Sequence, residues 1–340
     1  MLNLLKTLCD LNGVASFEDE VRTYLQREAG PYVDQMRVDA LGNLILFKRG
    51  KQSAPNRLML TAHMDEAGLI VHSITEEGYL KFVPVGPLDS KVVIGKRVSV
   101  GWNHIPGIVG LKAYHLVSEE EEKRVPKLSE MYIDIGARKK EEAEALVSRG
   151  DYIAFGGKAE EFSSGLLKAK ALDSRVGCAV LLKLLEEDLP IDCTFAFTVQ
   201  EGVGLRGAFG AAFSVAPEIA VVVEGTSASD FPGAAQRKNP VRLGHGPVLA
   251  VMDQGTIYDR SLFEMIRDIA VENNIPWQLK YAAGNQNDAS SLQRTKAGVQ
   301  VAAIGAPVRY LKAPSGLVSA ADFDRTYLLT KKTVEAVAAL

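Results

Sequence analysis

Four polar clusters follow apolar stretches of the sequence, and their residue types could carry metal chemistry. His63 and Asp65 come directly after the apolar run LMLTA, and Asp173 lies in the segment ALDSR. Glu201 follows CTFAFTV, and Glu224 follows IAVVV. Ligands of α/β proteins bind beyond the carboxyl ends of the strands. Because imidazole and carboxylate groups bind zinc, cobalt and manganese, these positions predict a divalent metal site.

Each cluster also has an ordinary structural explanation. His63 could end a strand without binding a metal, and Asp173 could cap a helix. Glu201 lies next to glycines that suit a plain turn, although a carboxylate there could also act as a general base. Glu224 could form an ion pair. The occurrence of all four clusters in one chain favours a metal site, since the sequence shows neither a serine nucleophile elbow nor a phosphate-binding loop.

Composition excludes several other classes of protein. The chain has 340 residues and a net charge of −3, which argues against a nucleic-acid-binding protein. Its 47% hydrophobic content can form a large core, and no apolar stretch reaches the ~18 residues of a membrane-spanning helix. No signal peptide is visible, and the three cysteines form no CxxC motif. We therefore expect a cytoplasmic protein with reduced thiols that binds neither nucleic acid nor membranes.

The elements that must position these residues alternate between helix and strand. This alternation predicts an α/β fold with a mixed, largely parallel sheet flanked by helices. The most apolar strands indicate burial on both faces of the sheet. The predicted strands are 44–48, 58–62, 193–199, 219–223, 247–252, 277–281 and 299–305, and the predicted helices are 17–26, 176–185, 205–213, 262–273, 288–296 and 321–340.

Between about residues 68 and 167 the pattern changes to short alternating segments separated by Gly and Pro. Closely spaced short strands, here 69–74, 79–85, 97–102 and 107–111, predict a small β-barrel. We therefore expect residues 1–66 and 166–340 to form a catalytic α/β domain and residues 67–165 to form an inserted barrel domain. The acidic run Glu119–Glu122 is predicted to be a solvated loop.

Several motifs in order along the chain resemble those of a known family. TAHMDEAG, KALDSRVG, TVQEGVGLRGA and PVRYL are similar to segments of the tetrahedral (TET) aminopeptidases, glutamyl/leucyl aminopeptidase-like metallopeptidases once named cellulase M. DALGNLI, GKRVSVGWN, MYIDIGA and RGDYIAF extend the similarity over nearly the whole chain. The resemblance implies a zinc-exopeptidase-like fold whose inserted barrel has a role in assembly.

The resemblance also implies a chemistry and a partner class. It places His63, Asp173 and Glu224 as ligands of the first metal, with Asp173 bridging two metals. Asp65 would support His63, and Glu201 would be the general base. Such enzymes release N-terminal residues from short peptides and assemble as tetrahedral dodecamers. The implied cofactor is zinc or cobalt, with manganese as a further candidate.

Two residues depart from the family pattern, and both belong to the second metal position. Gly202 replaces a second glutamate, and Lys312 replaces a late histidine. Glycine has no ligand atom and an ammonium group cannot coordinate a metal, so we expect a degenerate second site and one metal per chain. Lys312 would either neutralise Asp173 or the substrate, or point into solvent.

Three functions follow in order of preference. The first is a metallo-aminopeptidase that works with one metal and uses Glu201 as the general base. The second is a catalytically impaired paralogue that serves as a structural or peptide-binding subunit, alone or in a mixed assembly with an active relative. The third is a related deacylase or amidase. Peptidase activity separates the first two, since the impaired paralogue would assemble without hydrolysing peptides.

Overall fold

A large mixed β-sheet forms the centre of the computed structural model, which describes residues 1–54, 57–162, 165–233, 240–280 and 284–339. The path of neighbouring strands is β1-β2-β12-β3-β13-β16-β17-β11-β10, and β14 joins it through β16 and carries β15. These strands are β1 Gln35–Val38, β2 Leu44–Lys48, β3 Leu58–His63, β10 Glu160–Phe162, β11 Leu166–Ala169, β12 Cys193–Thr198, β13 Ile219–Ser227, β14 Val248–Ala250, β15 Gln278–Lys280, β16 Gln300–Arg309 and β17 Gly316–Ser319.

The centre of the sheet is parallel. Strands β12, β3, β13 and β16 are neighbours that run in the same direction, whereas the outer pairs are mostly antiparallel. All six residues of β3 are buried. Leu58 and Leu60 pack into one core cluster and Met59 into a second, on the opposite face. The predicted α/β fold with a sheet covered on both faces is confirmed.

Helices cover both faces of this sheet. One core cluster includes residues of α1, α2, α5, α7 and α9, and the other includes residues of α6 and α8. Alanines of α6 contribute to the second cluster, and small side chains let this helix approach the sheet closely. The helices are α1 Leu2–Asp10, α2 Asp19–Ala29, α3 Glu119–Glu122, α4 Lys140–Glu144, α5 Leu172–Leu185, α6 Arg206–Val215, α7 Arg260–Glu272, α8 Ala289–Gln293 and α9 Ala320–Val337. In the described ranges, no helix has the length and hydropathy that crossing a membrane requires.

Between β3 and α5 the chain forms the closed β-barrel that the sequence predicts. Its strands follow one another in the order β4-β5-β8-β7-β6-β9 and enclose a separate hydrophobic core. They are β4 Gly68–Ile74, β5 Leu80–Val85, β6 Arg97–Val100, β7 Ile105–Gly110, β8 Tyr132–Asp134 and β9 Tyr152–Phe155. Strand β10 lies in the predicted insertion, yet it pairs with β11 in the large sheet.

A buried ion pair joins the segment that enters the barrel after β3 to the segment that follows β11. Lys170 Nζ lies 2.7 Å from Glu66 Oε1, and both side chains are at most 4% exposed. Lys170 also donates to Asn12 Oδ1, and the backbone N–H of Gly13 donates to Glu66 Oε1. The start of the barrel segment is therefore fixed against the connection between β11 and α5.

Several local expectations differ from the structure, and three of them are informative. The predicted loop Glu119–Glu122 is the short exposed helix α3, because Ser118 and Glu121 form a capping box at its start. Helix α5 begins before the predicted Val176, and β13 continues past the predicted end at Val223. Tyr281 and Leu340, which close two predicted elements, lie outside the described residues.

Candidate active site

The polar clusters predicted from the sequence lie together at one edge of the sheet. His63 is the last residue of β3, and Glu201 lies three residues beyond β12. Glu224 lies inside β13, paired in register with Gly305 of β16. Asp173 follows the first residue of α5, and Lys312 lies three residues beyond β16. Because the central strands are parallel, their carboxyl ends bring these residues to the same cleft.

The two imidazole nitrogens of His63 face different partners. Nδ1 lies 3.1 Å from the backbone carbonyl oxygen of Asp65, and Nε2 lies 3.3 Å from Oδ1 of Asp173. A carbonyl oxygen can only accept, so the proton of Nδ1 is fixed and Nε2 is the nitrogen that faces the cleft. Burial opposes the charged imidazole, but hydrogen bonds to Asp173 and Asp65 raise the pKa of His63 well above its usual value.

Asp65 supports this arrangement from the opposite side of the ring. Its carboxylate accepts backbone N–H groups of Glu201 at 2.8 Å and Gly202 at 3.0 Å. Its Oδ1 lies 3.6 Å from His63 Nδ1. Burial opposes ionisation, but the bonds to His63 and to the two amides lower the pKa of Asp65. Ligand atoms of Asp65, His63 and Glu201 lie within 4.8 Å of one another, yet the contacts of Asp65 are on the Nδ1 side, away from Asp173.

The remaining carboxylates, those of Asp173, Glu201 and Glu224, lie close together, and the positive charge of His63 and Lys280 offsets only part of the effect of burial and mutual repulsion. Burial, followed by the nearby charge of Asp173, raises the pKa of Glu201 to about 8 and that of Glu224 to about 7. Buried anionic groups of this kind are stabilised by a cation. The nitrogen of His63 and the oxygens of Asp173 and Glu224 are therefore a donor set that fits a zinc-like divalent ion.

A hydrogen-bond chain behind Glu224 was not identified from the sequence. Asn287 Nδ2 donates to Glu224 Oε1 at 2.8 Å and lies 2.9 Å from the hydroxyl of Tyr258. The hydroxyl of Tyr258 donates to Asp253 Oδ2 at 2.7 Å. In the sequence, Asn287 directly precedes a predicted helix, so its role could be that of a helix cap. Nothing in the sequence around Tyr258 or Asp253 indicates a place in the site. The chain holds the Glu224 carboxylate in a fixed orientation.

Gly202 and Lys312, the two residues that depart from the family pattern, lie in the same cleft. Gly202 offers no ligand atom, and a Cβ built there would meet only Asp65 Oδ2 at 3.5 Å and atoms of two neighbours at greater distances. A Cβ therefore fits at this position without a close contact. Lys312 is exposed and lines the cleft with Asp173 and Glu201. Within the described ranges, its ammonium group makes no ion pair within 4.0 Å, so it does not contact Asp173 directly.

A second cation, Lys280, was missed by the sequence analysis. It is the last residue of β15, half-buried, and its Nζ donates to Thr226 Oγ1 at 3.1 Å. It lines the cleft together with Glu224, and its charge partly offsets the rise in the pKa of Glu224. Its position near the end of a predicted strand is the one signal in the sequence, and this position alone does not distinguish a cleft lysine from a surface lysine.

Known proteins resemble this chain over nearly its full length. The family model described as M42 glutamyl aminopeptidase matches residues 42–329. A relative from Acetivibrio thermocellus with a provisional aminopeptidase name is 38% identical, covering 99% of this chain and 98% of its own. The solved structure of an aminopeptidase from the archaeon Desulfurococcus kamchatkensis has a TM-score of 0.93 and 34% identity, covering 98% of this chain and 94% of that one.

A third relative adds information on assembly. The TET1 peptidase of Pyrococcus horikoshii, described as able to assemble into a tetrahedron or a large octahedral shell, has a TM-score of 0.85 and 31% identity. The comparison covers 97% of this chain and 98% of that one. The predicted resemblance to TET aminopeptidases is confirmed, and with it the assignment to the hydrolases. The chain belongs to the M42 glutamyl aminopeptidase family of peptidases.

Proposed function

We propose that the protein removes N-terminal residues from short peptides with one divalent ion per chain, zinc or cobalt. The observation that carries this proposal is the placement of His63 Nε2 beside Asp173, in a cleft that also contains Glu201 and Glu224. His63, Asp173 and Glu224 would hold the ion. Three protein ligands with a further position open are usual for catalytic zinc.

The bound ion would polarise the peptide carbonyl and lower the pKa of water. Glu201 supplies the proton transfers. Its carboxylate accepts a proton from the water whose oxygen attacks the carbonyl carbon, and it donates that proton to the nitrogen as the C–N bond breaks. The raised pKa of Glu201 suits a group that first accepts and then releases a proton. Asp65 fixes the turn that carries Glu201.

A single ion is favoured over two because the second position lacks ligands. Gly202 has no side-chain donor, and the ammonium group of Lys312 repels a cation. Asp173 would be the remaining ligand there. The protein therefore differs in stoichiometry from a two-metal peptidase.

Elemental analysis tests the proposal most directly. The protein is saturated with zinc or cobalt, desalted and measured for metal per chain, and its activity on aminoacyl anilides and short peptides is assayed. About one ion per chain with release of N-terminal residues is expected. Two ions per chain would contradict the single-site assignment.

The departures at Gly202 and Lys312 also support a second candidate, a catalytically impaired paralogue that binds peptides or serves as a structural subunit. It would assemble and show no hydrolysis with either metal. Absence of bound metal together with absence of activity would make it the better account.

We also propose that the protein is a homo-oligomer, a tetrahedral dodecamer in which the inserted barrel contributes contacts. The shells formed by the Pyrococcus horikoshii relative support this. Apolar side chains exposed on the barrel, such as Trp102 and Ile108, offer surface for such contacts. Native mass spectrometry should give about twelve times 36.8 kDa. A monomer would contradict the proposal, and co-expression with an active relative would detect mixed shells.

A further inference from the structure

The turn that follows β12 and carries Glu201 is bonded to two buried carboxylates. Asp65 accepts the N–H groups of Glu201 at 2.8 Å and Gly202 at 3.0 Å. The N–H group of Gln200 donates to Glu18 Oε1 at 3.2 Å, although 182 positions separate the two residues in sequence. Three successive amide groups are therefore held, and this restricts the φ and ψ angles of the two residues between them.

Gln200 has a backbone conformation that residues other than glycine seldom adopt. Its φ is +59°, and Ser16, in the segment before α2, has a φ of +75°. In this left-handed region the Cβ atom approaches a carbonyl oxygen, so the conformation persists only where the surrounding structure holds it. Glu18 Oε1 also accepts the N–H group of Ser16, at 2.9 Å. One carboxylate oxygen therefore bonds two residues that have left-handed backbones.

Glu18 makes these bonds from the interior of the protein. It directly precedes α2 and is 2% exposed, so it does not reach a substrate in the cleft. Burial, followed by the nearby charge of Asp65, raises the pKa of Glu18 to about 7, and the N–H groups of Ser16 and Gln200 oppose this rise. A buried carboxylate is costly unless it is hydrogen-bonded. The carboxylate and the two left-handed residues therefore stabilise one another.

We propose that Glu18 is a positioning residue for the general base. It holds Gln200 in its left-handed conformation and thereby sets the direction in which the next residue, Glu201, extends into the cleft. Glu18 acts through the backbone of Gln200 and touches neither the ion nor the substrate. This inference rests on the proposed function, in which Glu201 transfers the proton. Its rival is that Glu18 only anchors the start of α2 to the sheet.

Accurate placement of Glu201 matters because a general base works only within hydrogen-bond reach of the water that it deprotonates. A displacement of about 1 Å can lower a rate by about 100-fold. Loss of Glu18 should therefore lower kcat and leave KM and metal content almost unchanged. Loss of a purely structural anchor would lower the melting temperature, and kcat per folded chain would stay the same.

Three variants of the zinc-loaded full chain test this difference on an aminoacyl anilide that the wild-type protein hydrolyses. Glu18→Ala removes the acceptor, and its kcat should fall by about 10- to 100-fold. In Glu18→Gln the amide oxygen can still accept both N–H groups, so most of kcat should remain. The control is Asp322→Ala, which removes a buried carboxylate of α9 that accepts the N–H groups of Gly244 at 2.5 Å and Gly246 at 2.8 Å. It should keep kcat.

Glycine at position 200 provides a test that is specific for the backbone. Glycine adopts a positive φ without strain, so Gln200→Gly should restore part of the kcat that Glu18→Ala loses. A loss that Gln200→Gly does not relieve would show that Glu18 does not act through the conformation of Gln200. If Glu18→Ala does not fold, Glu18→Asp takes its place, because its shorter side chain cannot hold both N–H groups.

Full kcat in Glu18→Ala, or an equal loss in Asp322→Ala, would overturn the proposal and leave the aminopeptidase function intact. If the wild-type protein hydrolyses no substrate, the proposed function fails, and the role of Glu18 is judged by hydrogen exchange and mass spectrometry. Faster exchange in peptides that span residues 198–202, in Glu18→Ala and not in Asp322→Ala, supports the bond between Glu18 and the turn as the feature that holds it. Unchanged exchange contradicts it.

Discussion

Nε2 of His63 lies 3.3 Å from Oδ1 of Asp173, although 110 positions separate the two residues in sequence and the whole barrel lies between them. His63 is the last residue of the parallel strand β3, and Asp173 lies at the start of α5. The proposed metal ligands are therefore fixed by the packing of the large sheet and α5, with apolar residues of both in one core cluster. We expect the metal-free protein to fold.

Removing the imidazole should abolish metal binding without unfolding the chain. In His63→Ala the proposed site keeps Asp173 and Glu224, which are too few ligands for tight binding of zinc. Elemental analysis should fall from about one ion per chain to near zero. Circular dichroism serves as the control for folding, and retention of the ion would show that His63 is not a ligand.

Glu201→Gln should separate metal binding from catalysis. Glutamine retains the size of the side chain and cannot accept the proton of water, so kcat should fall by about 10²- to 10⁴-fold. Metal content should stay unchanged, because Glu201 is not among the proposed ligands. A variant that loses the ion together with its activity would place Glu201 in the coordination sphere.

The double substitution Gly202→Glu with Lys312→His should create a second metal site. Space exists at position 202, where a Cβ meets nothing closer than 3.5 Å, and the histidine removes a repelling charge. Metal per chain should rise from about one to about two. Each single variant is a control that should bind fewer ions than the double variant, and an unchanged count of one would show that the cleft cannot hold two cations.

The metal-free protein should lose stability as pH rises from about 4.5 to about 8. Burial raises the pKa of Glu201 to about 8 and that of Glu224 to about 7, from the usual 4.5. In this window the folded state holds more protons than the unfolded state, so the free energy of unfolding decreases with pH. The raised pKa of His63 acts in the same direction.

Thermal melting in a chelator between pH 5 and pH 8.5 measures this effect. Added zinc should remove most of the decrease in melting temperature with pH, since a bound cation stabilises the ionised carboxylates. In Glu201→Gln the slope of the metal-free protein should be smaller. A melting temperature that rises with pH in the chelator would contradict the assignment of the raised pKa values.

Lys170→Met should destabilise the fold by about 3–5 kcal/mol, because it leaves the buried charge of Glu66 without its close partner. Lys168→Met is the matched control, since its ion pair with Glu160 at 3.5 Å is partly exposed and contributes about 1 kcal/mol or less. Denaturant unfolding measures both. Equal effects would mean that burial of the pair at Lys170 has no energetic consequence.

Much of the fold follows from hydrophobic patterning, and the exceptions have physical reasons. Strand Leu44–Lys48 has the predicted bounds because its apolar run is uninterrupted. Strand Gln35–Val38 was missed because it has only four residues, all of them exposed, so that its polar and apolar alternation is too short to indicate a buried face. The helix Glu119–Glu122 depends on one cap, which outweighs the expectation of a loop for a run of like charges.

The sequence also predicts only part of the candidate active site. His63 and Glu201 could be predicted, since each follows an apolar strand and parallel strands end at one edge. Lys280 and Tyr258 could not, because their approach to Glu224 depends on how β14, β15 and α8 pack onto the sheet. Their types alone do not distinguish a cleft residue from a surface lysine or a core tyrosine.

The ion pair between Glu66 and Lys170 has a consequence for how the chain tolerates change in length. It fixes the segment after β3 against the segment between β11 and α5, so residues added or removed within the barrel, between β4 and β9, do not alter the spacing of His63 and Asp173. The barrel is in effect an exchangeable module, and its size and surface can diverge without disturbing the residues proposed to carry out hydrolysis. Replacing residues 68–155 with a short linker, which keeps β10 and β11 in the large sheet, is a practical route to a minimal hydrolytic unit.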